Sequence, residues 1–162
     1  MYKVGDVVVK NNCVVCKIVG EEEKQIAPGM PKEKYFLLKS LDEKLTVHQP
    51  VKSAEKLLKP LMSKKEAEAF IVKLSKLDYD WNNDDKKRIP ELKKEAETNS
   101  SVEGLGLIVG GYYKRMANDK HISRADQNFL DGVESKLFPA IGVSLECDED
   151  GVREKFHSVF GI

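Results

Sequence analysis

Residues 57–70, LLKPLMSKKEAEAF, mark the point where the hydrophobic pattern of the chain changes from that of strands to that of helices. Before this stretch, short runs of β-branched residues alternate with turn residues, which is typical of short strands. Within it, Ser63 followed by Glu66 is a capping box, in which two residues satisfy each other's backbone N–H groups at a helix start. Ser123 and Asp126 open a later helix in the same way. The pattern predicts an α+β protein in which a β module precedes a helical domain.

The β module is assigned to residues 1–57. Its predicted strands cover residues 7–9, 13–19, 35–39 and 45–47, and the charged residues 21–24 are expected to form a loop. Several short strands in so short a module are typical of a small antiparallel barrel, which has room for little more than one binding surface. Residues 51–62 are expected to form a linker.

The helical domain is assigned to residues 58–162, where apolar residues recur at helical spacing. The stripes are Ala67, Phe70, Ile71, Leu74 and Leu77; Val102, Leu105, Val109, Tyr112 and Met116; Phe129, Leu130, Val133 and Leu137; and Val152, Phe156 and Phe160. Residues 81–97 also have a helical composition. Because proline costs about 3 kcal/mol in a helix interior, Pro90 predicts a break there, or a new helix with Pro90 in its first turn. We expect a bundle of four or five helices.

The composition excludes several classes of protein. The chain of 162 residues carries 27 basic and 27 acidic residues, so it is neither a histone-like basic protein nor an acidic tail protein. No apolar run approaches the roughly 20 residues needed to span a bilayer, and the residues after Met1 have no signal-peptide pattern. The three cysteines show no disulfide framework. We therefore expect a cytoplasmic protein that does not bind membranes.

No motif predicts catalysis. Cys13 and Cys16 form a C-x-x-C, but residues three apart on a strand face opposite sides, and only Cys147 and three scattered histidines could complete a zinc site. Residues 104–111, GLGLIVGG, fit neither the dinucleotide fingerprint nor the P-loop, and we interpret them as a glycine-rich helix packed closely on a neighbour. We expect no metal and no cofactor.

Trp81, the only tryptophan, lies among polar residues and precedes a basic segment. One interpretation is that Trp81 packs a helix into the core and that the charged side chains form a solvated face. The other is an exposed aromatic side chain that wedges into a nucleic-acid groove while basic side chains contact phosphates. The candidate DNA-binding residues are Trp81, Lys86, Lys87, Arg88, Lys93 and Lys94. Since residues 81–94 hold five basic and three acidic residues, any binding should be weak and salt-sensitive.

Six segments, taken in order, resemble the CarD/CdnL family of bacterial RNA polymerase-binding transcription regulators. They are YKVGDVVV at 2–9, VCKI at 15–18, KYFLLK at 34–39, KLTVHQPV at 44–51, LKPLMS at 58–63 and HISRAD at 121–126. Trp81 with Arg88 and Ile89 falls where the family has a tryptophan and basic residues, and Leu130, Glu134 and Leu137 continue the last segment. The resemblance covers essentially the whole chain.

The resemblance implies a Tudor-like or SH3-like N-terminal barrel that docks on the β subunit of RNA polymerase through an exposed strand edge. Lys44, Thr46 and His48 would lie on that docking surface, and His48 stands where relatives often carry an arginine. The resemblance also implies that the helical domain lies against upstream promoter DNA. There, Trp81 would be wedged at the edge of the transcription bubble and would stabilise the open complex.

These inferences predict a non-enzymatic transcription regulator that binds the RNA polymerase β subunit and, weakly and without sequence specificity, promoter DNA. An adaptor that binds a protein partner without contacting DNA is the alternative, which the zero net charge and the acidic neighbours of Trp81 favour. A small enzyme is disfavoured because no catalytic constellation is present. We expect a monomer, or a dimer formed by strand exchange.

Overall fold

The computed structural model describes all 162 residues and divides them into two compact units, Met1–Leu61 and Met62–Ile162. The first unit contains an antiparallel sheet and one short helix, and the second contains helices only. The predicted α+β class, with strands before helices, is confirmed. None of the helices combines the length and the apolar character that crossing a bilayer requires.

The sheet of the first unit has five strands in the order β4-β3-β2-β1-β5, and every neighbouring pair is antiparallel. β4 and β5 therefore form its two edges, and no pairing between them closes a barrel. The elements are β1 (Val7–Val9), β2 (Val15–Lys24), β3 (Glu33–Ser40), β4 (Thr46–Pro50), α1 (Val51–Leu57) and β5 (Lys59–Pro60).

One face of the sheet buries a single hydrophobic cluster. Alternate residues of the strands point to this face, which is the strand period of two, and the chain that follows β4 covers them. The tyrosine hydroxyl of Tyr2 donates a hydrogen bond of 3.1 Å to the carbonyl of Leu58, which anchors the chain after α1. The buried members of the cluster are Val8, Cys16, Ile18, Phe36, Leu38, Ala54 and Leu58.

Three predictions for the first unit are wrong in detail. Residues 21–24 form the end of β2 rather than a loop, because Glu23 pairs with Lys34 and Lys24 with Glu33, which places opposite charges directly across two strands. Residues 51–62 are not a linker, since they hold α1 and β5. The unit extends to Leu61 rather than residue 57 because β5 pairs with β1.

The second unit holds five helices, and the predicted apolar stripes lie on four of them. Most members of these stripes are buried, including Ile71, Leu105, Leu137 and Phe156. Both predicted capping boxes, at Ser63 and Ser123, are present. The helices are α2 (Lys64–Lys76), α3 (Asp85–Thr98), α4 (Val102–Ala117), α5 (Arg124–Leu145) and α6 (Glu149–Phe160).

Helix α3 runs through Pro90 without a break, so both predictions for this residue are wrong. The helix begins at Asp85 because the side chain of Asp84 accepts a hydrogen bond of 3.0 Å from the backbone N–H of Lys86. Pro90 is then in the second turn, where its missing N–H removes one hydrogen bond close to the helix start. Arg88, two residues before Pro90, binds groups outside α3, and these contacts hold the start of the helix in place.

The glycines of residues 104–111 bring α4 close to its neighbours, which confirms the interpretation of a closely packed glycine-rich helix. A Cβ atom on Gly106 would lie 2.5 Å from Cζ of Phe70 in α2, and one on Gly110 would overlap the hydroxyl of Tyr79. A Cβ atom on Gly104 would collide with the backbone carbonyl of Asn99. Backbone cannot move away as easily as a side chain, so Gly104 is the most constrained of the three.

We predict opposite effects of alanine at two glycines inside helices. Gly104→Ala should lower the free energy of unfolding by about 1–3 kcal/mol, because the new methyl group collides with the Asn99 carbonyl. Gly132→Ala, the control in α5, has nothing within 4 Å of the new Cβ atom and should raise it by about 0.5–1 kcal/mol. Urea denaturation of both variants checks this, and equal effects would contradict the packing argument.

Candidate functional site

Trp81 lies in the segment between α2 and α3 and is held by three side chains of the second unit. The guanidinium carbon of Arg88 lies 4.5 Å from the centre of the indole ring, and that of Arg115 lies 4.2 Å from it. Tyr112 meets the ring edge-on, with ring centres 5.3 Å apart. Both guanidinium distances are within the range of favourable cation–π interactions, so the ring is fixed in place.

The side chain of Trp81 is neither a free wedge nor a fully buried core residue. It is partly exposed, yet its indole Nε1 is buried and donates no hydrogen bond. A buried donor without an acceptor costs about 1–3 kcal/mol. The structure therefore matches neither interpretation of the sequence fully: the ring is partly packed and partly exposed, and its Nε1–H has no hydrogen-bond acceptor.

Arg88 is buried and binds within the protein. Its Nε and Nη2 atoms donate to the two carboxylate oxygens of Asp126 at 3.0 and 2.6 Å, and its Nη1 donates to the backbone carbonyl of Asn82 at 2.9 Å. Nη2 also lies 2.8 Å from the carboxylate of Asp85. With only 5% of the side chain exposed, the geometry contradicts the prediction that Arg88 contacts a phosphate.

Asp126 is the fully buried centre of this network. Besides Arg88, it accepts hydrogen bonds from the hydroxyl of Tyr112 at 2.8 Å and from the hydroxyl and backbone N–H of Ser123 at 2.7 and 3.1 Å. Burial by itself raises the pKa of Asp126, but the hydrogen bonds from Arg88, Ser123 and Tyr112 outweigh it and hold the pKa at about 2. The same burial, together with the bond to Asp126, raises the pKa of Tyr112.

The four lysines proposed to contact DNA are exposed and share one face of α3. At 3.6 residues per turn, Lys86, Lys87, Lys93 and Lys94 fall within a third of the helix circumference. Glu91 and Glu95 come next around the helix, and both line the same cavity as Trp81. The lysines and Trp81 are therefore not one continuous basic surface with an aromatic centre, as the sequence alone suggested, because a row of carboxylates lies between them.

The three residues proposed to bind a protein partner lie at or near the edge strand β4. Lys44 is in the exposed turn before it, and Thr46 and His48 are exposed on the strand itself. Nε2 of His48 accepts a hydrogen bond of 3.2 Å from the ammonium group of Lys24, and it lies 3.5 Å from a carboxylate oxygen of Glu22.

The backbone of β4 presents unpaired groups at this edge. The N–H of Ser40 bonds to the carbonyl of Leu45 at 2.9 Å, and bonded pairs alternate along an antiparallel ladder. In the observed register, Val47 and Gln49 therefore bond to β3, whereas the N–H and C=O groups of Thr46 and His48 point away from the sheet. Pro50 also occupies a position whose main-chain groups point away from the sheet, but it has no N–H to offer a partner.

The remaining sequence candidates do not form sites. Cys13 lies in the turn Asn11–Cys13 rather than on the predicted strand, which begins only at Val15, and Cys13 and Cys16 are buried and form no disulfide bond. No three His, Cys, Asp or Glu side chains are placed to hold a metal ion together. A comparison with models of protein families and with curated proteins finds no match to this chain.

Two residues of the site around Trp81 were missed by sequence reasoning. Asp126 was read only as the third residue of a capping box, and Arg115 was not singled out at all. Asp126 does carry out the capping role, but it also neutralises Arg88 across 38 residues of sequence. No spacing rule connects positions so far apart, so no local signal was available for this pair.

We predict that Asp126 contributes to the stability of the protein in a pH-dependent manner. Because its pKa falls from 3.8 to about 2 on folding, its contribution is complete above pH 3.8 and is lost as the pH falls toward 2. That contribution is about 2 kcal/mol. Asp126→Asn should abolish this part of the pH dependence, and at neutral pH it should lower the free energy of unfolding by about 3–5 kcal/mol, because Arg88 loses its buried counter-charge and keeps only the exposed carboxylate of Asp85.

Denaturation of the wild type and of Asp126→Asn between pH 7 and pH 2 measures this effect. Asp78→Asn, at an exposed aspartate, is the control and should leave both the stability and its pH dependence close to those of the wild type. A wild-type-like acid profile for Asp126→Asn would show that the ion pair does not carry the stability assigned to it.

Proposed function

We propose that the chain is a non-enzymatic regulator of bacterial transcription that binds the β subunit of RNA polymerase through β4 and biases promoter opening. The observation that carries the proposal is the free edge of β4, where main-chain donors and acceptors point away from the sheet. An incoming strand of a partner can pair with such an edge. In this mode of binding, main-chain hydrogen bonds give affinity and side chains give specificity.

Several features of the first unit support the docking mode. The exposed side chains of Thr46 and His48 flank the free main-chain groups, and Glu22 and Lys24 beside His48 add one charge of each sign. The five-stranded antiparallel sheet around one hydrophobic cluster is compatible with a Tudor-like or SH3-like module. The resemblance of the whole chain to the CarD/CdnL family supplies the identity of the partner.

The effect on promoter opening is assigned to the helical unit. Trp81 is partly exposed, and four exposed lysines on α3 could contact phosphates, although Arg88 is not available for this role. A protein that prefers the open promoter over the closed one shifts the equilibrium by its differential affinity, whatever its total affinity. A preference of about 1.4 kcal/mol would change the ratio of open to closed promoter tenfold.

We predict that His48→Pro weakens binding of the full chain to the RNA polymerase β subunit at least tenfold. Proline removes the outward N–H of residue 48 and so deletes one main-chain hydrogen bond to the partner strand, and its ring disturbs the adjacent bonds. Because that N–H is not used within the sheet, the variant should remain folded. Biolayer interferometry with immobilised β subunit measures the change.

His48→Ala is the matched control, since it removes the same side chain but keeps the backbone N–H. It should retain binding within a fewfold of the wild type. Equal loss in both variants would assign the contact to the imidazole rather than to strand pairing. No binding by the wild-type chain would refute the proposed partner.

We predict that Trp81→Ala keeps binding to RNA polymerase but loses much of the effect on the lifetime of the open complex. The reason is that the proposed tether lies in the first unit, whereas Trp81 belongs to the second. Lifetimes of competitor-challenged promoter complexes, measured with and without each protein, check this. An unchanged lifetime would show that Trp81 has only a packing role.

A protein-interaction adaptor that does not contact DNA is the second candidate. Two observations favour it: Arg88 is neutralised internally, and Glu91 and Glu95 separate the lysines from Trp81. Because Trp81 is the only tryptophan and is partly exposed, its fluorescence reports contact with DNA directly. Quenching by duplex or bubble DNA at low salt supports the regulator, and an unchanged spectrum supports the adaptor.

A further inference from the structure

A cavity of about 590 Å³ lies between α3, α4 and residues 79–82, and we call it the Trp81 cavity. It belongs entirely to the helical unit and is distinct from the edge of β4 on which the proposed function rests. Its volume is within the range of roughly 300–1,000 Å³ found for sites that bind small molecules. The cavity is therefore large enough for an organic ligand rather than for a single water or ion.

The walls of the cavity are largely apolar. Leu92 of α3 and Leu107 and Ile108 of α4 contribute aliphatic side chains, and Leu107 remains 45% exposed. Gly104 and Gly111 also line the cavity, and a Cβ atom there would meet Asn99 at Gly104 and Tyr79 at Gly111 rather than fill the cavity. Such an exposed apolar lining stabilises a ligand that brings its own apolar body.

The charges around the cavity are predominantly negative. Asp80, Glu91 and Glu95 line it, and none of these carboxylates takes part in an ion pair. Arg88 is the only cationic residue in the lining, and its charge is already neutralised by Asp126 and Asp85. Arg115, whose guanidinium carbon lies 4.2 Å from the centre of the Trp81 ring, adds one positive charge beside the cavity. The three carboxylates of the lining outnumber this charge, so the cavity favours a cation over an anion.

We propose that the Trp81 cavity binds a small organic cation, with an apolar body against Leu92, Leu107 and Ile108 and an ammonium group beside Glu91 and Glu95. No three His, Cys, Asp or Glu side chains are grouped to hold a metal ion, so the lining suits an organic cation better than a bare divalent ion. Since Trp81 and Tyr112 also line the cavity, the ligand contacts the side chains that hold the indole ring in place. A bound ligand therefore changes the surroundings of the Trp81 indole ring.

Three probes with one apolar body test the proposal on the full-length protein: phenylpropylamine, phenylpropanol and phenylpropionate. The fluorescence of Trp81, the sole tryptophan, and the amide NMR signals of Gly104 and Gly111 report binding. We expect the amine to bind roughly three- to tenfold more tightly than the alcohol, because its ammonium group gains partly exposed ion pairs with two carboxylates. The carboxylate probe should bind least tightly.

The double variant Glu91→Gln with Glu95→Gln should bind the amine no more tightly than the alcohol. Its matched control is Glu97→Gln with Glu154→Gln, which removes the same charge from two exposed positions outside the cavity and should keep the preference for the amine. All four positions are exposed, so the variants should fold.

The proposal is overturned if no probe moves these signals, if the alcohol binds as tightly as the amine, or if the control loses the preference as well. These outcomes are independent of the RNA polymerase experiment, which tests β4. Loss of polymerase binding therefore leaves the cavity proposal standing, and the reverse also holds.

Discussion

The buried ion pair between Arg88 and Asp126 is the interaction on which the candidate site depends. It connects α3 to the start of α5, places the Arg88 guanidinium over Trp81 and orients the hydroxyl of Tyr112, which meets Trp81 from the side. Burying two charges carries a desolvation cost. Hydrogen bonds to almost all polar atoms of Arg88 and Asp126 offset this cost. Without this ion pair, nothing in α3 would hold the indole ring.

This use of Arg88 changes how the basic segment of α3 can act. An arginine that neutralises a buried aspartate cannot also bind a phosphate, so only the exposed lysines remain for nucleic acid. Glu91 and Glu95 then give the region around Trp81 an acidic side and a basic side. The basic side suits a contact with DNA, the acidic side suits the proposed cationic ligand, and Trp81 takes part in both proposals.

The first unit is an open sheet, so it has two edge strands, β4 and β5, each without a partner on one side. β5 is only two residues long, which limits one edge, but β4 is five residues long and the main-chain groups of Thr46 and His48 point away from the sheet. Exposed edges are a hazard for association between identical chains, and a partner strand that pairs with β4 removes that hazard. The same geometry makes β4 both the weak point of the module and its proposed binding surface.

The sequence by itself determined that a β module precedes a helical domain, the positions of most elements other than α1 and β5, and both capping boxes, because these follow from local periodicity and from residues three apart. It did not determine the extent of β2, where Glu23 and Lys24 are stabilised by pairing with a distant strand, or the continuity of α3 through Pro90. Only the tertiary structure decided which charges face water: Arg88 and Lys87 are neighbours in sequence, yet one is buried on Asp126 and the other is exposed. That choice depends on a carboxylate 38 residues away, and no local pattern in the chain encodes it.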